Sequence, residues 1–412
     1  MRVLVVTHMF PNLSNPAAGS FVIEQVRETR SRCEVKVVAP LPAVPRAIKT
    51  MKPRWDAFWK TPFHETVANN VEVYRPRYFC LPKNASLLLD GLSYRKAIAR
   101  TVDQIHEGFP FDILHVHGAV PDGCGVLLAN RGRNVPVVLN IHGRDIYSTA
   151  RMSPFHRRLV GSVLAGADKV VAVSARLKEL IVAMFPRIRE PIVIHDGMDI
   201  TLFSSNGASE TEVDRSSGGP LVLTVGYLIA RKNHKAVISA VSRLRKSYPQ
   251  IRLKIAGSGP EEKNLRALSQ KLGVSDVVEF LGLCSRERVR QLMSECDIFA
   301  LPSWDEAFGI VYIEAMSQAK PVIGCRGEGI EEFVTDGETG FLVDPHDVEE
   351  LTEKIRFLIE GREIAERVGK AAREVVLRDF TWQKNVDRLM EVYRELAGGQ
   401  TSDQRVPVRG LT

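Results

Sequence analysis

A chain of 412 residues, 44% hydrophobic and 25% charged, has ordinary globular composition and the length of two domains rather than one. The formal net charge of +7 favours anionic partners, but the basic residues are not interleaved with aromatics in a groove-like run and no nucleic-acid motif is present, so nucleic acid is excluded as a partner. No window approaches ~18 uninterrupted apolar residues, so no transmembrane helix is expected, and the six scattered cysteines form no Cys-x-x-Cys pair, which leaves disulfide and metal readings weak and a reducing cytoplasm as the default.

Met1–Thr7 is too short an apolar run for a signal peptide and reads as a first strand. In the first half, Val3–Thr7, Glu34–Ala39, Val71–Arg75, Ile113–His117, Val137–Ile141, Lys169–Ser174 and Ile192–Ile194 are mostly continuous apolar runs, the pattern of buried parallel strands. Helical patterns fall between them, for example at Phe21–Arg30, Tyr94–Glu107 and Ala175–Met184. Phe10-Pro11-Asn12 and Gly19-Ser20-Phe21-Val22 form a loop entering a helix, where glycine allows close backbone approach to a phosphate. Between Leu41 and Lys60, Arg46, Lys49, Lys52, Arg54 and Lys60 mix with Trp55, Phe58 and Trp59 against a single Asp56. That mixture suits an interfacial segment on an anionic membrane and equally suits a solvated basic loop. His115 and His117 share a strand face, yet no third ligand of matching spacing accompanies them. Asn140-Ile141-His142-Gly143 ends a strand at its carboxyl end, where ligands sit in open α/β sheets.

A polar segment, 204–219, interrupts the alternation and reads as a linker or long surface loop. Strands are then expected at Leu221–Val225, Arg252–Ala256, Val277–Leu281, Asp297–Leu301, Pro321–Ile323 and Gly340–Val343. Helices are expected at Lys235–Ser247, Glu261–Leu272, Arg286–Glu295 and Asp347–Glu360. Two successive β/α runs with a hinge imply two doubly wound domains facing a cleft. Val225-Gly226-Tyr227 closes a strand, and Arg231-Lys232-Asn233-His234 opens a helix, a natural diphosphate grip. Gly257-Ser258-Gly259-Pro260 lacks the third glycine of a dinucleotide fingerprint, because Glu262 stands there. In Leu301–Met316, Pro302 and Ser303 break a strand, Phe308–Ala319 reads as a helix, and Glu306 and Glu314 stand eight positions apart, a little over two turns. A helix N-terminus beside two carboxylates suits a phosphorylated sugar: N–H groups for the phosphate, carboxylates for hydroxyls. Trp382–Leu396 reads as an amphipathic helix, followed by a polar tail at 397–412 expected to be disordered.

Pro302-Ser303 with Glu306-x7-Glu314, followed by Ala319-Lys320-Pro321-Val322, resembles the family 4 retaining glycosyltransferases of the GT-B fold. Gly327-Glu328-Gly329-Ile330-Glu331-Glu332 and Asp196-Gly197-Met198-Asp199 resemble further family segments. The resemblance implies an α/β architecture of two Rossmann-like domains. These are an acceptor-side domain at 1–203, a nucleotide-sugar-binding domain at 220–378 and a terminal helix at 379–396 crossing back to the first. It implies catalytic roles for Lys232, Glu306 and His142, and donor contacts from Gly19, Ser20, Gly226, Arg231, Lys232, Gly257, Gly259, Phe308, Gly309, Ile310 and Glu314. Tyr227 stands where the family carries an arginine, with Arg231 as a stand-in. Neither metal nor cofactor is implied. The expected partners are a nucleotide-sugar donor, a glycan or lipid-linked acceptor of cell-surface glycan synthesis and an anionic membrane surface, at the cytoplasmic face. A GT-B nucleotide-sugar epimerase and a non-catalytic sugar-nucleotide-binding subunit are the alternatives.

Overall fold

The computed structural model describes residues 1–16, 18–67, 70–79, 87–204 and 218–399. Residues 205–217 of the expected linker and 400–412 of the expected tail lie outside them. The chain divides into two units, Met1–His195 together with the chain from Trp382, and Asp196–Thr381.

The first unit is built on ten strands: β1 Arg2–Val6, β2 Glu34–Val38, β3 Leu41–Pro42, β4 His64–Val67, β5 Val71–Tyr74, β6 Arg77–Tyr78, β7 Ile113–His117, β8 Val137–Ile141, β9 Lys169–Ala172 and β10 Ile192–Val193. Eight of them form one sheet in the order β10-β9-β8-β7-β1-β2-β5-β4. Every pair in it is parallel except β4–β5 at the edge. β1, β7 and β8 are mostly apolar and, Arg2 apart, wholly buried, because helices cover both faces of a parallel sheet. One covering helix comes from far along the chain. Trp382–Ala397 buries Val386, Leu389, Met390, Tyr393 and Leu396 in the same core as Val3, Val5, Val22 and Val26. Its Asn385 joins the unit by buried hydrogen bonds, accepting from Gln25 Nε2 at 2.8 Å and donating to the His195 carbonyl at 2.6 Å.

The second unit carries β11 Leu221–Val225, β12 Arg252–Ala256, β13 Val278–Gly282, β14 Ile298–Ala300, β15 Val322–Cys325 and β16 Phe341–Val343. They pair in parallel in the order β13-β12-β11-β14-β15-β16. That is the doubly wound order in which the direction of winding reverses between the first and fourth strands. The helix His234–Leu244 buries seven of its eleven residues against this sheet, including Val237, Ile238 and Val241.

Three sequence expectations need correction. Residues 196–203, assigned to the first half, belong to the second unit, and so do 379–381. The chain enters and leaves that unit along one seam, where the Met198 N–H donates to the Phe380 carbonyl at 3.0 Å and Met198 bridges Thr381 in parallel. The strand His64–Val67 was not expected, because it is a half-exposed edge strand without a continuous apolar run. The helix placed at Phe308–Ala319 spans only Ile310–Ser317: Gly309 caps it at φ 93° and Ala319 leaves it at φ 53°.

Candidate active site

In the second unit, the loops leaving the carboxyl ends of β11 and β14 meet where the strand order reverses, the place where such sheets bind ligands. From β11 the chain passes Gly226 into a short 3₁₀ turn, Ala230–Lys232, and then to Asn233 at φ 55° before the helix from His234. Asn233 is 2% exposed, and its Nδ2 donates to the carbonyls of Pro302 at 3.1 Å and Pro345 at 2.7 Å. The loop after β14 lies along this turn: the Trp304 N–H donates to the Arg231 carbonyl at 3.0 Å, and Arg231 Nη1 donates to the Asp305 carbonyl at 3.1 Å.

These contacts bring Lys232 and Glu306 together. Lys232 Nζ and Glu306 Oε2 form a short ion pair whose side chains are 13% and 11% exposed. The Ser303 hydroxyl donates to the same carboxylate oxygen at 3.1 Å. Ser303 Oγ also lies 3.0 Å from the Tyr312 hydroxyl, which donates to the Leu301 carbonyl. Burial by itself pushes the Glu306 carboxyl up, but Lys232, Arg231 and Ser303 together hold it below its ordinary value, so it stays ionised. The backbone carrying Glu306 is fixed by a second carboxylate. Glu328 accepts the Asp305 N–H at 3.0 Å and the Glu306 N–H at 2.9 Å, and the Gly329 N–H donates to the Glu306 carbonyl at 3.0 Å.

The other expected donor contacts of this unit surround that pair unequally. Gly257 has φ 148°, and a Cβ there would stand 1.9 Å from the Gly226 carbonyl oxygen; one at Gly259 would stand 2.4 Å from that of Leu228. Both glycines therefore let the turn after β12 close onto the turn after β11. Phe308 is 2% exposed and packs on Phe333 and Phe380, with ring centroids 5.2 and 5.9 Å away, so its ring is spent on the core rather than on a donor contact. Gly309 and Ile310 are half-buried at the helix start. Glu314 does not stack above Glu306 on one helix, because the chain is non-helical before Ile310. Its carboxylate faces Arg286 Nη2 at 4.0 Å, on the neighbouring helix Arg286–Glu295. Tyr227, in place of the family arginine, is 58% exposed. Ser303, Tyr312, Asn233 and Glu328 were not anticipated as site residues. Three of them stood in motifs of the sequence: Ser303 in Pro302-Ser303, Asn233 in Arg231-Lys232-Asn233-His234, and Glu328 between Gly327 and Gly329.

In the first unit, Gly19 caps the helix Ser20–Arg30 with φ 59°, and a Cβ there would stand 2.1 Å from the Met9 carbonyl oxygen. Only glycine lets the chain fold back so tightly. Phe21, next along, meets the His142 ring at a centroid distance of 4.6 Å, so Gly19, Ser20 and His142 gather at one edge. His142 Nε2 lies 3.0 Å from His117 Nδ1. His115, the other strand-face histidine, bonds Asn140 Oδ1 through Nε2 at 3.1 Å and the Tyr393 hydroxyl through Nδ1 at 2.6 Å, so both ring nitrogens are engaged within the fold. Beside them, at the ends of β1 and β7, buried Asp122 pairs with His8 and Tyr94, and Asp145 accepts the N–H groups of Ala119 and Val120 at 3.0 and 3.2 Å.

Residues 209–375 match the model of the glycosyl transferases group 1, and residues 18–202 that of Glycosyltransferase Family 4. An uncharacterised glycosyltransferase of Methanocaldococcus jannaschii is 30% identical over 308 residues, covering 74% of this chain and 82% of its own. A putative teichuronic acid biosynthesis glycosyltransferase of Bacillus subtilis is 26% identical over 404 residues, covering 96% of this chain and 98% of its own. Among solved structures, HepE of Anabaena in complex with UDP and glucose superposes with a TM-score of 0.73 at 22% identity, over 95% of this chain and 99% of that one. Sucrose-phosphate synthase of Thermosynechococcus elongatus gives a TM-score of 0.81 at 20% identity, over 97% of this chain and 100% of that one. Both are GT-B glycosyltransferase folds, and both units here are parallel α/β sheets of that kind.

Proposed function

The chain belongs to the family 4, group 1 glycosyltransferases, retaining enzymes that transfer sugar from a nucleotide sugar, and from that premise we propose that it moves a sugar from a UDP-sugar to a hydroxyl of a lipid-linked or polysaccharide precursor at the cytoplasmic face of a membrane. One observation carries the assignment of the chemistry: a nearly buried Lys232–Glu306 pair held where the winding of the second sheet reverses. UDP as the nucleotide is supported by the HepE complexes with UDP and with UDP-glucose.

The reaction breaks the bond from the anomeric carbon to the β-phosphate oxygen and forms one to the acceptor oxygen on the same face. The acceptor proton passes to the departing phosphate oxygen, so the products are the glycoside and the nucleoside diphosphate. The barrier is set by charge gathering on the leaving diphosphate while the sugar gains oxocarbenium character. Lys232, Arg231 and the first N–H groups of the helix at Ile310 stabilise that charge. Charge-assisted hydrogen bonds of this kind contribute ~1.5–3 kcal/mol each. Glu306, kept ionised, accepts a hydroxyl of the sugar and orients the ring, and Glu314 accepts the ribose hydroxyls. His142 hydrogen-bonds the transferring sugar, and the tight Gly19 turn brings backbone close to the diphosphate. In this assignment Ser303 and Glu328 act through Glu306, one on its carboxylate and the other on its backbone.

The acceptor side is supported by an exposed basic and aromatic surface. The short helices Arg46–Met51 and Pro53–Lys60 leave Met51 69% exposed and Trp59 46% exposed, with Phe63 beyond them at 49%. Lys49 Nζ lies 4.2 Å from the Trp59 ring centroid and Lys52 Nζ 5.0 Å from that of Trp55. Cations held against rings in this way suit the headgroup region of an anionic bilayer. No helix among the described residues is long and apolar enough to cross a membrane, so this surface supplies the proposed contact with a lipid-linked acceptor.

Incubation with radiolabelled UDP-sugars and a membrane extract tests the reading. Label transferred to lipid with the anomeric configuration kept supports it. Isomerised free donor, or binding without turnover, would replace it with an epimerase or a binding subunit.

A further inference from the structure

The first sheet has a winding reversal of its own. From β1 the chain goes to β2 on one side, whereas β7 lies on the other side of β1 and leads on to β8 and β9. The crevice beyond the carboxyl ends of β1 and β7 is therefore the place where a sheet of this kind binds a ligand. Two side chains meet there. His8 stands two residues after the end of β1, and Asp122 five after the end of β7, in the turn Ala119–Gly123. His8 Nδ1 and Asp122 Oδ2 form a short bond, and the Tyr94 hydroxyl donates to the other oxygen of the same carboxylate.

Asp122 is fully buried, and its two oxygens are spent on these two partners. Burial, with Asp122 adding to it, pushes the Tyr94 hydroxyl well above its ordinary pKa, so it keeps its proton and donates. His8 gives the carboxylate its Nδ1–H and is held by that end alone. Its Nε2 has no partner among the described residues and is not buried; the side chain is 25% exposed. Burial lowers the basicity of the ring, but Asp122 more than offsets this, with Arg144 opposing and Asp145 assisting, so its pKa lies above the ordinary histidine value. A bare Nε2 accepts from a hydroxyl and a protonated one donates to it, so a hydroxyl satisfies the ring in either state, whereas an anion suits only the second. Of the charged groups that act on the ring, Asp122, Asp145 and Arg144, two are acidic, which also favours an uncharged ligand.

We propose that His8 is an acceptor-binding residue: Asp122 holds its Nδ1, and its Nε2 hydrogen-bonds a sugar hydroxyl of the acceptor, beside the hydroxyl that reacts. Asp122 and Tyr94 are positioning residues that fix the ring. The reacting hydroxyl still gives its proton to the departing phosphate, so the transfer chemistry is unchanged. The proposal rests on the reading of the chain as a transferase with a glycan acceptor.

The test titrates solubilised membrane extract against label transfer from radiolabelled UDP-sugar, in the wild type and two variants that each keep one end of the imidazole. His8→Asn keeps an amide N–H where Nδ1 stood and loses the outer nitrogen; His8→Gln reaches the outer position and loses the bond to Asp122. His8→Asn should keep the unfolding midpoint and the affinity for UDP, yet raise the half-saturating amount of extract ~3–10-fold, the effect of one lost hydrogen bond. His8→Gln should unfold earlier but saturate within ~2-fold of the wild type. A histidine that serves only to partner Asp122 gives the opposite pattern, with His8→Asn saturating normally, and that result overturns the proposal. Where His8→Asn does not fold, carbethoxylation of the wild-type chain decides: extract should protect His8 relative to exposed His346, and equal protection of the two overturns the proposal. A wild type that transfers no label overturns the functional reading itself, and the proposal falls with it.

Discussion

Glu306 shows how much a single carboxylate depends on what surrounds it. It is nearly buried and stays charged because Lys232 and Ser303 face its side chain while Glu328 fixes its backbone. Lys232→Ala is expected to cut turnover by on the order of a hundredfold or more, read as initial rates. It also leaves a buried carboxylate without its counter-ion, so thermal unfolding should drop with it, by about 3–5 kcal/mol. Glu328→Gln can accept only one of the two N–H groups. It should cost about 1–3 kcal/mol in denaturant unfolding, and an unchanged midpoint would contradict its bracing role. Buried histidines give a pH signature. Burial, with Lys232 adding to it, lowers the His234 pKa from 6.5 to about 4. The unfolded chain then takes up the proton first as pH falls, so stability declines between about pH 6.5 and 4 and is regained above that range. His234→Gln should flatten that part of the stability–pH curve; an unaltered slope would mean that His234 titrates normally. The residues legible in the sequence were those in the loops that join a strand to a helix: Lys232, Glu306, Gly257, Gly309. Ser303 was legible only as a strand breaker, and Tyr312 not at all as a site residue, because a hydroxyl that bonds a serine hydroxyl and a strand-end carbonyl leaves no periodic trace.

Among the elements, the central strands were read well, since a buried parallel strand is a continuous apolar run: Ile113–His117, Val137–Ile141, Leu221–Val225 and Arg252–Ala256 have the expected bounds. Edges were read poorly. β3, β4 and β6 are short or half-exposed, and the helix Arg362–Asp379 was missed beyond Gly361, where the sequence turns strongly polar. The helix at Ile310 is shorter than its apolar pattern, because Gly309 takes a left-handed conformation that no periodicity reports. The terminal helix Trp382–Ala397 has a legible apolar stripe, but its partner in the core could only be supplied by resemblance. Its anchoring is now specific: Asn385 joins Gln25 and the His195 carbonyl. Asn385→Ala removes both hydrogen bonds, one of them from buried Gln25, and should cost about 1–3 kcal/mol of stability in chemical denaturation. A loss within experimental error would show that the helix is held by its apolar face alone.

For the molecule as a whole, the net charge of +7 admitted several anionic partners, and the surface narrows the choice. The exposed Met51, Trp59 and Phe63 with their neighbouring lysines predict co-sedimentation with vesicles rich in anionic lipid, weakening as salt rises. Replacing Trp55 and Trp59 by serine should abolish it, while binding indifferent to vesicle charge would remove the membrane from the account. Two doubly wound sheets were legible because both halves repeat the same β/α alternation. The nucleotide base and the sugar were not, because no side-chain pattern in the chain is particular to one base or one sugar. In the proposed function the turn after β11, the loop after β14 and the helix that follows it clasp the donor through Lys232, Glu306 and Glu314. Calorimetric titration of UDP-glucose and free UDP into the wild type, Lys232→Ala and Glu314→Ala tests it most directly. Saturable binding to the wild type is expected, weakened at least ~10-fold in both variants. Equal affinity in all three proteins would contradict it.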